Sequence, residues 1–221
     1  MPLPQPPAAI IFDLDGTLVN TEPVHFRAWM EVLGKRGYHY DEHWFEQFIG
    51  KSDRKLAESV IAEHGLALAP RILQDEKQLI FHDWVVREAE TFPGVAEALD
   101  RWHHHIPMAI ATNSGRRDAE CVFVPTQLDR YMGAVVTADD VQPNLKPAPD
   151  MYLLAAERLG VAPEHCIVIE DSPSGALAGQ RAGMYVVGLT SSQPAEKMAS
   201  AHELHPDTQT ALARVNELLR F

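Results

Sequence analysis

Short apolar runs bounded by turn residues recur along the chain, at Ala9–Asp13, Met108–Thr112, Ala134–Thr137, Ile167–Asp171 and Tyr185–Leu189. Runs of this length, rich in Ile and Val, predict buried strands. Between them apolar positions recur at helical spacing over Val95–His103, over Asp150–Leu159 before Gly160, and over Ser174–Ala182 before Gly183. Alternating strands and helices predict an α/β fold, a doubly wound parallel sheet with helices on both faces. One stretch departs from the alternation. From residue 22 to 89 the chain reads as helix after helix: Glu22-Pro23 opens one that closes at Gly37, Leu56–His64 stops at Gly65, and Leu73–Ala89 stops before Pro93. The expected organisation is a core of residues 1–21 and 90–221 with a helical insertion, 22–89, hinged near Thr21 and Thr91–Pro93. Ligands of open parallel sheets bind beyond the carboxyl ends of the strands.

Polar side chains collect at those ends. Asp13 and Asp15 stand two residues apart where the first run stops, so strand geometry would turn them to one face as Gly16 lets the backbone turn away. Two carboxylates at about 4 Å repel by roughly 4 kcal/mol at an effective dielectric near 20, so the pair predicts a cation or a shared proton. The second run ends in Thr112-Asn113-Ser114-Gly115 and the fourth in Glu170-Asp171-Ser172, while Lys146 stands in a loop stiffened by Pro147 and Pro149. Together these parts point to an enzyme.

The motifs DLDGT, ATNS, KPAP and EDS, spread over essentially the whole chain, resemble those of the haloacid dehalogenase-like phosphohydrolase superfamily, in the branch of β-phosphoglucomutases and small sugar-phosphate phosphatases. Asp15 marks phosphoryl transfer, since true dehalogenases of this fold lack the second aspartate. The resemblance implies a Rossmannoid core, a cap domain formed by the helical insertion, and Mg²⁺ as cofactor. It implies Asp13 as the nucleophile that forms an aspartyl-phosphate, and Asp15 as general acid and then base. Asp15 should therefore have a raised pKa or be presented to the leaving group. Lys146 would neutralise Asp13 and the transferring group. The implied metal ligands are the Asp13 side chain, the Asp15 backbone carbonyl and the Asp171 side chain, with Glu170 as a secondary ligand or outer-shell partner. Thr112 and Asn113 would donate to phosphoryl oxygens, Ser114 and Arg116 would touch substrate, and Thr17 would buttress the Asp13 loop. On the insertion, His25 would meet the substrate or Asp15 at the hinge, and Arg54 and Lys77 would hold the sugar or its distal group.

The segment HFRAW at His25–Trp29 is similar to β-phosphoglucomutases, whereas Trp102-His103, Pro107-Met108-Ala109 and Cys166-Ile167-Val168 are similar to fructose-1-phosphate phosphatases. The expected activity is Mg²⁺-dependent hydrolysis of small sugar phosphates such as fructose 1-phosphate or a glucose phosphate. The alternative is a β-phosphoglucomutase interconverting β-glucose 1-phosphate and glucose 6-phosphate, in which a sugar hydroxyl rather than water takes the phosphoryl group.

Bulk properties narrow the partners. A net charge of −12 over 221 residues argues against nucleic acid and requires a phosphate ester to be attracted locally, by a metal and a few placed cations. No apolar run approaches a membrane span, and the proline-rich start lacks the features of a signal peptide and reads as a frayed tail. Two cysteines, one opening a buried run, fit a reduced, cytoplasmic protein. The expected partner is a small-molecule phosphate ester bound by a monomer. The run His103-His104-His105 reads as a solvated helix end rather than a metal site.

Overall fold

The computed structural model describes residues 7–49 and 51–219; most of the stretch read as a frayed tail lies outside them. Strands β1 (Ala9–Phe12), β2 (Met108–Ala111), β3 (Ala134–Val136), β4 (Cys166–Glu170), β5 (Tyr185–Leu189) and β6 (Glu203–His205) form one sheet of order 3-2-1-4-5-6. Every pairing is parallel, as in Ile11↔Ala109 and Ile11↔Val168 on either side of β1. The sixth strand is an addition to the sequence reading. It is a three-residue edge strand with one apolar residue, and its register follows β5 rather than any pattern of its own.

Side chains alternate across the sheet. Ile10, Phe12, Ile110, Ile167 and Ile169 face one core, where they meet α5 (Val95–Trp102), α6 (Arg116–Thr126) and α10 (Thr208–Leu219). Ala9, Ile11, Ala109, Val168 and Val186 face the other, against α8 (Asp150–Leu159) and α9 (Pro173–Arg181). Burying each large apolar side chain contributes about 1.5–3 kcal/mol, so both faces are anchored and the strand ends are held in place. Strand order reverses between β1 and β4, and the crevice above that point is where an open α/β sheet binds ligands.

The helical insertion follows β1 as α1 (Glu22–Gly34), α2 (Glu42–Glu46), α3 (Asp53–His64) and α4 (Pro70–Glu88). Pro23 and Pro70 sit in the first turns of α1 and α4, where a missing amide hydrogen does no harm. Trp29, Leu33, Phe45, Phe48, Leu56, Val60 and Leu73 form a third core within these helices. The far half of α4 is different, since Phe81 and Val85 join the core beneath the sheet and α4 lies on α6. The two chain crossings run side by side: the Asn20 amide donates to Glu90 O at 3.1 Å, and the Phe92 amide to Leu18 O at 3.0 Å. A short helix α7 (Ala138–Val141), capped reciprocally by Thr137 and Asp140, follows β3.

Candidate active site

Asp13 follows β1 directly, and its amide donates to Ile169 O at 3.0 Å, carrying the ladder with β4 one residue further. The strand has ended by Phe12, so Asp13 and Asp15 line one cavity through the shape of the loop rather than through strand alternation. Lys146 reaches into the same place with its side chain 2% exposed; Nζ donates to Asp13 Oδ1 at 2.5 Å and to Glu170 Oε1 at 2.8 Å. The Tyr152 ring lies 4.9 Å from this ammonium, and its hydroxyl donates to Glu170 Oε1 at 3.2 Å. Burial pushes the lysine down, but the Asp13 and Glu170 carboxylates outweigh it and hold Lys146 well above its ordinary range.

Negative charge exceeds what one lysine balances. Burial, with Glu170, Asp171 and Asp15 nearby, pushes the Asp13 carboxyl well up despite Lys146. Asp171 is pushed up to about 8, by burial and then by Glu170. Its Oδ1 accepts from Thr17 Oγ1 at 3.2 Å, and the loop before Thr17 passes so close that a Cβ on Gly16 would stand 2.3 Å from Oδ2. Gly16 also has φ +80°, which only glycine adopts without strain. Buried carboxylates this crowded fit an additional hard cation. Mg²⁺ takes one or two carboxylates and fills its remaining sites with other oxygens, so Asp13, Asp171 and a backbone carbonyl suffice. No three His, Cys, Asp or Glu side chains converge as ligands among the described residues. The contacts of Glu170 fit the outer of its two readings. Oε1 is held by Lys146 and Tyr152, and Oε2 accepts from the Ser172 amide at 2.6 Å. That fold-back needs Gly175, because a Cβ there would stand 1.6 Å from Oε1.

Asp15 is held differently. Oδ1 accepts from Thr21 Oγ1 at 2.5 Å, Oδ2 accepts from Ser114 Oγ at 2.6 Å, and His25 Nε2 lies 3.9 Å from Oδ1. Burial raises this carboxyl, yet the neighbouring His25 imidazole and the two hydroxyls outweigh it and leave Asp15 well below the usual carboxylate range. A raised pKa at Asp15 is therefore not what the structure provides, because three donors surround its anion. Thr21 stands at the N-cap of α1 but makes no side-chain cap, its hydroxyl being given over to Asp15. Lys77 Nζ lies 2.6 Å from His25 Nδ1 and 2.8 Å from Asp53 Oδ2, and Trp29 Nε1 donates to Asp53 Oδ1 at 3.0 Å. An ammonium only donates, so Nδ1 accepts and the ring proton sits on Nε2, toward Asp15.

The cavity, about 780 Å³, lies between the strand ends and the helical insertion. Of the residues read from sequence, Asp13, Asp15, His25, Thr112, Asn113, Ser114, Lys146, Glu170 and Asp171 all line it. Thr112 Oγ1 accepts from the Ser114 amide at 3.0 Å and Asn113 Oδ1 from the Lys146 amide at 3.0 Å, so both side chains also hold the loops together. Arg54 lies on the wall but is exposed and paired with Glu58. Three residues lie outside the cavity lining. Lys77 is fully buried, because Asp53 and His25 satisfy it inside the insertion. Thr17 is buried beneath Asp171, as a buttress. Arg116 turns to Asp140, donating to both its oxygens at 2.8 Å. Sequence reasoning missed Thr21, Asp118 and Tyr152: a threonine before Glu-Pro and an acid in a helix's first turn read as caps, and a tyrosine on the buried stripe of α8 reads as core.

The chain is similar to known proteins in sequence and in fold. The model of the haloacid dehalogenase-like hydrolase family matches residues 10–189. The chain is 38% identical to the fructose-1-phosphate phosphatase YqaB of Escherichia coli, over 82% of this chain and 96% of that protein. It is 35% identical to a phosphorylated carbohydrates phosphatase of Thermotoga maritima, over 80% and 82% of the two chains. Among solved structures, the β-phosphoglucomutase of Clostridium difficile superposes with a TM-score of 0.80 at 23% identity, over 96% of this chain and 97% of that one, a likeness of fold.

Proposed function

The chain belongs to the haloacid dehalogenase-like hydrolase family, and on that premise we propose that it is a Mg²⁺-dependent phosphatase of small sugar phosphates, working through an aspartyl-phosphate. The observation that carries this reading is the buried trio of Asp13, Lys146 and Glu170 beside the hydroxyl-bound Asp15. Residues 22–89 act as the cap domain over a core of 1–21 and 90–221. In the first half-reaction an Asp13 oxygen attacks phosphorus, the bond to the sugar oxygen breaks, and that oxygen takes up a proton beside Asp15. In the second, water attacks the phosphorus of the aspartyl-phosphate, gives its proton to Asp15, and releases inorganic phosphate with Asp13 restored. The hydroxyl-bound carboxylate of Asp15 suits the base step directly, and the proton it takes up there is the one it gives to the sugar oxygen in the next first half-reaction, so both aspartates are restored over the full cycle. Asp13, Asp171 and the Asp15 carbonyl would hold Mg²⁺, which supplies charge neutralisation of the phosphoryl oxygens. Lys146 adds a fixed positive charge to the same end, and Thr112, Asn113 and Ser114 offer donors around it. His25, oriented by Lys77, turns its Nε2–H from the insertion toward Asp15.

The homologues named as fructose-1-phosphate and phosphorylated-carbohydrate phosphatases support sugar monophosphates as substrates. The testing assay supplies β-glucose 1-phosphate or fructose 1-phosphate with Mg²⁺ and follows free phosphate and glucose 6-phosphate together. Net phosphate release that is abolished in Asp13→Asn and by EDTA is expected. Rapid formation of glucose 6-phosphate with little free phosphate would mean a mutase instead.

A further inference from the structure

Resting on the phosphatase reading, we propose that Gln74 and Gln78 on the insertion, facing Asp118 and Asp139 on the core, form a subsite for the uncharged, hydroxyl-bearing half of the substrate and exclude a second phosphate. Arg71, Gln74 and Gln78 all line the cavity. At intervals of three and four they share one face of α4, and at 1.5 Å per residue they span about 10.5 Å. Arg71 at the outer end is exposed, whereas both glutamines are half-buried. The opposite wall holds Asp118, buried in the first turn of α6, and Asp139, at the start of α7. Gln78 Nε2 reaches Asp118 Oδ2 at a long 3.4 Å, while His82 Nε2 holds the other oxygen at 2.5 Å. Asp139 Oδ2 accepts from the Arg116 amide at 2.7 Å.

This chemistry suits hydroxyls. An amide both donates and accepts, a carboxylate only accepts, and a sugar hydroxyl can serve each in turn. A second phosphate carries nearly two negative charges at neutral pH and would face Asp118 and Asp139. The cations along the cavity do not offset that. Lys51, Arg54 and Arg71 are exposed, and Arg54 and Arg71 already lie 2.8 and 3.8 Å from Glu58 and Asp75. Exposed ion pairs contribute little, and Lys51, over the Phe48 ring, is a single exposed charge against two carboxylates. The transferring phosphoryl group, by contrast, has the buried Lys146. A cavity with the buried Lys146 at one end and amides and carboxylates at the other favours monoesters, and gives the bisphosphate that a mutase needs no buried cation for its second phosphate.

The test compares fructose 1-phosphate, fructose 1,6-bisphosphate and p-nitrophenyl phosphate, the last lacking hydroxyls on its leaving group, in the full chain with Mg²⁺. Wild type is expected to prefer the monophosphate over the bisphosphate by roughly tenfold or more in kcat/KM. Gln74→Ala and Gln78→Ala should raise KM for fructose 1-phosphate, with a loss of kcat/KM roughly fivefold greater than for p-nitrophenyl phosphate, the size of one lost neutral hydrogen bond. Gln74→Lys should shift the ratio of bisphosphate to monophosphate turnover upward. Equal losses on both leaving groups at an unchanged melting temperature, or wild-type turnover of the bisphosphate as fast as the monophosphate, overturn the subsite while leaving the phosphatase reading intact. Failure of wild type to hydrolyse p-nitrophenyl phosphate and fructose 1-phosphate alike overturns both.

Discussion

Replacing Lys146 by methionine should damage the fold as well as the chemistry. Its ammonium lies 2.5 Å from Asp13 and 2.8 Å from Glu170 with almost no solvent contact. Methionine fills much of the volume but leaves two buried carboxylates facing each other. Breaking a buried ion pair by removing one partner typically destabilises by about 3–5 kcal/mol. For a chain of this size that corresponds to a fall in melting temperature of about 6–20 °C. Phosphatase activity should fall at least about a hundredfold, as on loss of a placed electrostatic group. The KPAP motif alone suggests that rate would suffer far more than stability, and the burial of Lys146 revises that. Calorimetry on the metal-free protein gives the stability term. The double variant Lys146→Met/Glu170→Gln, which removes both charges, should recover about half of the lost stability without recovering activity. A single variant melting within about 2 °C of wild type, or a double variant no more stable than the single, would refute the reasoning.

Thr21→Val keeps the shape of the residue and removes a hydrogen bond to a charged group worth about 1.5–3 kcal/mol; kcat/KM should drop by at least about tenfold. Steady-state kinetics check this, and an unchanged kcat/KM would show that the hydroxyl is incidental. Gly175→Ala places a Cβ 1.6 Å from Glu170 Oε1, so the carboxylate must leave Lys146; overpacking alone costs about 1–3 kcal/mol, and a thermal melt equal to wild type would contradict it. Asp140→Asn should be less stable by about 1–2 kcal/mol, through the cap on Thr137 and the Arg158 bond. The Asp140 carboxyl is lowered to about 2, because hydrogen bonds from Arg158 and Thr137 outweigh burial. A depressed acid contributes stability above its unfolded pKa near 3.8, so the gap between wild type and variant should hold above pH 4 and close as pH falls through about 2. A gap that persists unchanged in acid urea melts speaks against the charge.

Much of this arrangement could be read before any coordinates. Five strands announce themselves because each is buried on both faces and needs an unbroken apolar run, and the reactive residues follow those runs at once. β6 carries no such run: it is three residues long, Glu203 and His205 are half-buried and its one apolar residue, Leu204, is exposed. Side-chain direction is less legible. Lys77 reads as a contact to the sugar or its distal group, yet it is fully enclosed because Asp53 and His25 reach it from two other helices. Arg116 follows a glycine-ended motif, as a substrate contact might, but Asp140 competes for it from α7. Glu170 has the composition of a metal ligand, and only the fold-back over Gly175 brings Lys146 and the Ser172 amide to its two oxygens. In each case the deciding partner is distant in sequence, where local pattern carries no information.

The paired crossings at Asn20 and Glu90 make the helices between them a splice. A segment whose two ends are already joined by a hydrogen bond closes over almost no distance, whatever its size. The entropy of such a closure grows only slowly, by about 0.6 kcal/mol for each doubling of length. A turn of a few residues and a four-helix module therefore suit the same place in the sheet almost equally well. The helices between the crossings can in this way be exchanged by grafting, with β1, β4 and the carboxylates that follow them inherited intact.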